Sequence, residues 1–152
     1  MLGAGWTGFG GRGSSSDVLV IGDTSHAALF PATAGVIHHG GSGTTHTAAR
    51  AGVPQLILPQ FADQHFWGHR VHTLGLGPAP LSPNKLTVDR LVRALTALLR
   101  ERRYAHVARR MSQTLRRESG IAGAVATIES VAAGAGVALR GAGTRRVART
   151  AA

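Results

Sequence analysis

The 152-residue chain contains no cysteine, which excludes a disulfide framework and any thiolate metal site. It holds no apolar run approaching about eighteen residues, so the sequence predicts no transmembrane helix. Its opening residues lack a basic segment followed by an apolar one, and no secretory signal is read there. Acidic residues are scarce, with seven Asp and Glu against seventeen Lys and Arg for a net charge of +10, and aromatics make up only 5%. Such a basic balance raises nucleic acid or an anionic membrane as a partner. The distribution of charge argues against both. Residues 1–99 carry +2, residues 100–118 carry +5, residues 119–134 carry −1 and residues 135–152 carry +4. Tyr104 is the only aromatic within the basic stretches, so the stacking platform of a single-strand binder is missing. The excess reads as a solvated helical face followed by a basic, flexible tail over residues 135–152, whose Gly/Ala/Arg composition cannot bury a core.

Apolar runs of about four residues alternate with helical patterns. Short buried strands are expected at residues 18–21, 35–38 and 55–58, bounded by Gly or Pro. A brief helix or turn is expected at residues 27–29, stopped near Pro31. Longer helices are expected at residues 44–51, ended by Gly52, and at residues 62–74, 87–99, 100–117 and 121–133. Residues 88, 91, 92, 95, 98 and 99 are apolar, which is helical spacing. This order predicts an α/β fold with a Rossmann-like parallel sheet flanked by helices.

Residues 38–68, HHGGSGTTHTAARAGVPQLILPQFADQHFWG, carry most of the chemistry. Two His residues end an apolar run, Gly40, Gly41 and Gly43 let backbone approach a ligand, and Thr44 and Thr45 open a helix. Unpaired amides at a helix N-terminus, aided by the macrodipole, suit a diphosphate. About twenty residues on, beyond the next strand, Asp63 and Gln64 supply a carboxylate and an amide that suit adjacent hydroxyls. Both places fall at the carboxyl ends of strands, where open α/β sheets bind ligands. His38 is expected to orient the turn, and Phe66 and Trp67 to face the core or another domain. His46 suits packing, solvent or the nucleotide equally. Ser42 in GGSGT also fits a nucleophile turn of a Ser/His/Asp hydrolase, but the Asp63-Gln64 pair fits only sugar transfer. His65, His69 and His72 have spacing that could bind zinc. No carboxylate or Cys completes a motif such as HExxH, and no metal site is assigned.

Read together, HHGGSGTT, RAGVPQLILPQFADQ and FWGHRV resemble the donor-binding signature of nucleotide-sugar-dependent glycosyltransferases of the GT-B fold. Among these they are most similar to the enzymes that glycosylate sterols, macrolides and other lipophilic acceptors. The similarity extends to GW at residues 5–6, VLVIGDTSHAALFP at residues 18–31 and GLGPAPLSPNKLTVDRL at residues 75–91, about ninety residues in all. The resemblance implies that His39 contacts the donor diphosphate, that Gly41, Ser42, Gly43 and Thr44 form the phosphate-binding turn, and that Asp63 and Gln64 bind the transferred sugar. It implies a UDP-sugar as donor substrate with no separate cofactor, a lipophilic hydroxyl acceptor, no specific nucleic acid and a cytoplasmic location. Plant and animal relatives place a Glu on the ribose where this chain has Thr47, so a different ribose contact is expected and a thymine base stays open. Around His26, lipophilic-acceptor relatives read Pro-His-Asp-Trp; here the residues are Ser25, His26, Ala27 and Ala28.

A GT-B enzyme needs two domains of about this size. The chain is therefore read as the C-terminal, donor-binding half over residues 1–134, truncated at its N-terminal end, with the tail at 135–152. The general base belongs to the acceptor domain in the family, so no catalytic residue is nominated here. Two other readings stand beside this one: a non-catalytic nucleotide-sugar-binding fragment, and a basic nucleic-acid-binding protein.

Overall fold

The computed structural model describes residues 2–3 and 16–133. Trp6 and the expected tail at residues 135–152 lie outside them. Residues up to Arg117 form one compact unit, and Glu118 begins a second.

The first unit is α/β. Strand β1 (Leu2–Gly3) pairs in parallel with β2 (Val20–Ile21), and β3 (Val36–His38) pairs in parallel with β4 (Gln55–Ile57). These are two separate two-stranded ladders among the described residues, with β3 and β4 in the register Val36 to Gln55 and His38 to Ile57. The other edge of β4 is also occupied. Residues 76–81 run along it, joined by Gln55 N–H to the Leu76 carbonyl at 2.9 Å and Leu81 N–H to the Ile57 carbonyl at 3.0 Å. This edge pairing was not expected from sequence, because GPAP reads as a turn and Pro cannot donate to a ladder.

Between β2 and β3 lie α1 (His26–Leu29) and a 3-10 turn at Phe30–Ala32, with the His26 ring stacked 4.8 Å from Phe30. Helix α2 (Ser42–Ala51) follows β3, and α3 (Gln64–Thr73) follows β4. Gly52 ends α2 at φ 77°, and its amide bonds back to the helix carbonyls, which is why a Gly stands there. Helix α4 (Val88–Arg100) starts at Thr87, whose hydroxyl accepts from the Arg90 amide at 3.3 Å, and α5 (Arg102–Arg117) completes the unit. Helix boundaries match the sequence expectations to within about two residues.

Packing explains why α5 is long and basic yet well seated. Tyr104, Ala108 and Ser112 recur every fourth residue and are buried, while the Arg residues face outward. Ser112 donates to the Arg50 carbonyl at 2.6 Å, and Arg116 donates to the same oxygen at 3.3 Å. A cation thus meets the carbonyl end of α2, where the helix dipole favours it. Ala108 joins Ile57, Val71 and Leu76 in one core cluster, and Phe30, Ala48 and Val53 make another.

In the second unit, α6 (Gly120–Ala132) is amphipathic by spacing, with Ile121, Val125, Ile128 and Val131 exposed. No helix among the described residues is long and apolar enough to cross a membrane.

Candidate donor-binding site

Strands β3 and β4 end side by side, and each releases its chain into a turn that opens a helix. Gly40 takes φ 93°, a conformation that penalises any residue with a Cβ. A Cβ there would also stand 2.6 Å from Ile57 Cγ2 and 3.1 Å from the Gln64 carbonyl oxygen. The first turn is therefore pressed against the end of β4 and the start of α3. That contact brings the His39–Thr44 segment and the Asp63-Gln64 pair to one edge, as the sequence order required.

The first turn of α2 is open. Gly41 is its N-cap, makes no side-chain cap, and no acidic residue lies in the turn. Thr45 N–H is the first amide to find a helix carbonyl, on Gly41 at 3.0 Å. The amides of Ser42, Gly43 and Thr44 precede it and are left for another acceptor. The exposed His39 imidazole lies across Gly41, its Nε2 2.5 Å from where a Cβ on Gly41 would stand. A side chain on Gly41 would therefore turn this exposed ring out of its place. Around Gly43 nothing lies within 4 Å of the Cβ position, so no contact of the fold requires a glycine there.

His38 secures this turn. Its Nδ1 accepts from Gly40 N–H at 3.1 Å, which places the ring proton on Nε2. Nε2 then donates to Gln55 Oε1 at 2.9 Å, and Gln55 Nε2 donates to the Thr45 carbonyl at 3.3 Å. The relay ties the turn, β4 and α2 together through a fully buried Gln55. Burial pushes the His38 pKa down to about 4, the Gln55 hydrogen bond opposes the shift, and His39 and His26 lower it further. The expectation that His38 orients the turn agrees with this geometry. Gln55 was missed, although a Gln inside the apolar run QLIL is a signal, because a buried amide must be hydrogen-bonded.

The second turn carries Ala62 at φ 53°, a left-handed conformation that costs a residue with a Cβ about 1 kcal/mol. Asp63 follows, exposed, and Oδ2 accepts from Trp67 Nε1 at 3.0 Å. Gln64 is buried at 6% exposure. Its Oε1 accepts from the Gln60 and Phe61 amides at 2.8 and 3.3 Å, so the side chain braces the turn and leaves its NH₂ to donate elsewhere. Trp67 is half-buried and contacts His46 rather than the core, and Phe66 is 59% exposed. Thr47 donates to the Gly43 carbonyl at 2.8 Å. His69 and His72 are turned to Thr73 and to the Gly77 carbonyl, and no group of three or more potential metal ligands occurs among the described residues.

Two surface hollows among the described residues lie elsewhere. One of about 470 Å³ lies along α5 and is lined by Val107, Arg110 and Arg117; one of about 430 Å³ lies between Pro78 and Arg93. The site itself is an open edge of one domain.

An α/β unit in which parallel strands alternate with helices is a fold shared with GT-B glycosyltransferases. The chain belongs to the family of erythromycin biosynthesis protein CIII-like C-terminal domains, which matches residues 16–131. A sterol 3-beta-glucosyltransferase of Arabidopsis thaliana is 39% identical over 123 residues, covering 80% of this chain and 20% of the relative. The vancomycin aglycone glucosyltransferase of Amycolatopsis orientalis is 40% identical over 131 residues, covering 86% of this chain and 32% of the relative. Among solved structures, the glycosyltransferase VinC, in complex with dTDP, superposes with a TM-score of 0.71 at 29% identity, covering 78% of this chain and 30% of that one. The chain spans a third or less of the length of these relatives.

Proposed function

We propose that this chain is the donor-binding domain of an inverting glycosyltransferase, over residues 1–134, that holds a UDP-hexose for transfer to a hydroxyl of a lipophilic acceptor such as a sterol or macrolide. The observation that carries this reading is the uncapped first turn of α2, with the His39 imidazole beside it and Asp63 at the same edge. In this reading the amides of Ser42, Gly43 and Thr44 and the His39 imidazole receive the diphosphate, and Asp63 and Gln64 bind the sugar hydroxyls. A base on the acceptor domain would deprotonate the acceptor hydroxyl, which attacks the anomeric carbon from the side opposite the leaving group. As the glycosidic bond to the diphosphate breaks, negative charge grows on the departing oxygen. His39 and the α2 amides stabilise that charge. The absence of a membrane-spanning helix among the described residues is compatible with the cytoplasm, where nucleotide sugars are supplied.

Calorimetric titration of the chain with UDP tests this. Replacing His39 by Ala removes a donor to a charged phosphate and is expected to weaken UDP at least about tenfold. Unchanged affinity in that variant would overturn the assignment. The same titration with dTDP decides the base, since VinC is a dTDP complex.

Gly43 separates the demands of fold and ligand. With open space at its Cβ position, Gly43→Ala is expected to leave thermal stability equal or raise it by up to about 1 kcal/mol, because Ala is the better helix former. The added methyl enters the space over the amides, so UDP affinity is expected to fall. A variant that binds UDP as the parent does would place the diphosphate elsewhere.

A further inference from the structure

Asp63 stands at the N-cap of α3, yet its carboxylate makes no capping hydrogen bond. An Asp at that place ordinarily accepts from the second or third amide of its helix. Here Oδ2 accepts instead from the indole N–H of Trp67, four residues along, at 3.0 Å. The indole is held from two sides. Phe66 meets it edge-on with ring centroids 5.1 Å apart, and His46 of α2 meets it at 4.8 Å with the ring planes 73° apart. His46 is itself fixed, because its Nδ1 lies 2.7 Å from the Ser42 carbonyl oxygen. A carbonyl only accepts, so Nδ1 carries the proton. A chain of contacts thus runs from the first turn of the phosphate helix, through His46 and Trp67, to one oxygen of the Asp63 carboxylate.

Resting on the donor-site reading above, we propose that Trp67 and His46 are positioning residues for recognition of the sugar. The indole N–H holds Oδ2 of Asp63 so that Oδ1 is presented to a hydroxyl of the hexose, and His46 ties the indole to the helix that receives the diphosphate. An exposed carboxylate without such a partner samples several rotamers, and ordering it on binding costs affinity. Holding it beforehand removes that cost. The indole is a donor only, so it fits the ionised carboxylate and leaves the free oxygen as an acceptor. Its hydrogen bond goes to Asp63 and not to the α2 turn, so loss of the N–H is expected to act on the sugar, and a nucleoside diphosphate alone does not draw on it.

The test compares UDP with UDP-glucose, and dTDP with dTDP-glucose, by calorimetry on the full chain. In Trp67→Phe the ring contacts with His46 and Phe66 are kept and the N–H is lost. UDP affinity is expected to hold while the added affinity contributed by the sugar falls about tenfold, the scale of one hydrogen bond to a charged group. His46→Ala is expected to reduce the same increment in part, and His46→Phe to restore it, because a ring again buttresses the indole. Equal weakening of the diphosphate and the nucleotide sugar in Trp67→Phe, or no change in either, overturns the positioning role and leaves the donor site standing. A parent chain that binds the diphosphate without preferring the sugar form overturns it too. Failure of the parent to bind any of the four overturns the donor-site reading itself.

Discussion

Replacing Gly77 by alanine is expected to unfold the first unit at moderate temperature, lowering its thermal midpoint by about 15 °C or more. Gly77 does not need a left-handed backbone, as Gly40, Gly52 and Gly75 do. Its requirement is contact. A Cβ on Gly77 would overlap the carbonyl oxygen of Gln55 and stand 2.9 Å from its carbonyl carbon. The clashing atoms are backbone of β4, so no side chain can swing aside. Gln55 is paired to Val36 across the sheet, its own N–H bonds the Leu76 carbonyl, and its neighbours Leu56 and Ile57 are buried to 1% exposure or less. Parting the two strands by roughly 1 Å would break these hydrogen bonds and open the Ile57, Val71 and Leu76 cluster, a loss above about 4 kcal/mol. Gly123→Ala is the control. Nothing lies within 4 Å of its Cβ position on α6, and the same methyl there is expected to be neutral or stabilising. Circular dichroism melts of both variants check the pair; a Gly77→Ala midpoint within a few degrees of the parent would refute the steric account.

Damage at Gly77 is also expected to reach the candidate donor site, because Gln55 is shared. Its backbone abuts Gly77, and its side chain links His38 to the Thr45 carbonyl. The glycine-rich turn before α2 is thereby anchored on the strand edge that residues 76–81 cover. This explains why a turn of small residues with few apolar contacts of its own can keep its amides aimed outward.

The alternation of strands and helices was legible because each element carries its own period and stop signal: Gly52 after α2, Thr87 before α4, Pro59 after β4. Placement of the glycine-rich turn and the Asp63-Gln64 pair at one edge was legible too, since both follow parallel strands and such strand ends lie together. What was hidden depends on side-chain direction. Gln64 has the composition of a hydroxyl-binding amide, yet its oxygen is spent on the Gln60 and Phe61 amides, which only the path of the turn through Ala62 determines. Trp67 lies one helical turn from Asp63, and that spacing was the available clue, but its choice between core and carboxylate depended on His46 from another helix. Pairing of residues 76–81 with β4 was masked by GPAP, because a segment held by two hydrogen bonds leaves no alternating pattern.

Acid is expected to weaken the fold through His38, and the window follows from its shift. The folded pKa is lowered to about 4 from 6.5, chiefly by burial. Between these values the unfolded chain binds the proton and the folded chain does not, so stability rises with pH there. The contribution is fully present above 6.5, is lost progressively as pH falls toward 4, and changes no further below that. The size is about 3 kcal/mol. The chemistry is specific, because protonation of Nδ1 removes the acceptor of Gly40 N–H and turns a donor toward it. His39 and His26 add repulsion once they carry charge. Urea titrations at pH 7.5 and 4.5 check this beside His38→Gln, which lacks the titrating ring. The parent is expected to lose most of that stability between the two pH values, and the variant, though weaker at pH 7.5, to lose markedly less. Equal acid sensitivity in both would mean that the buried relay at the glycine-rich turn is not what protonation breaks.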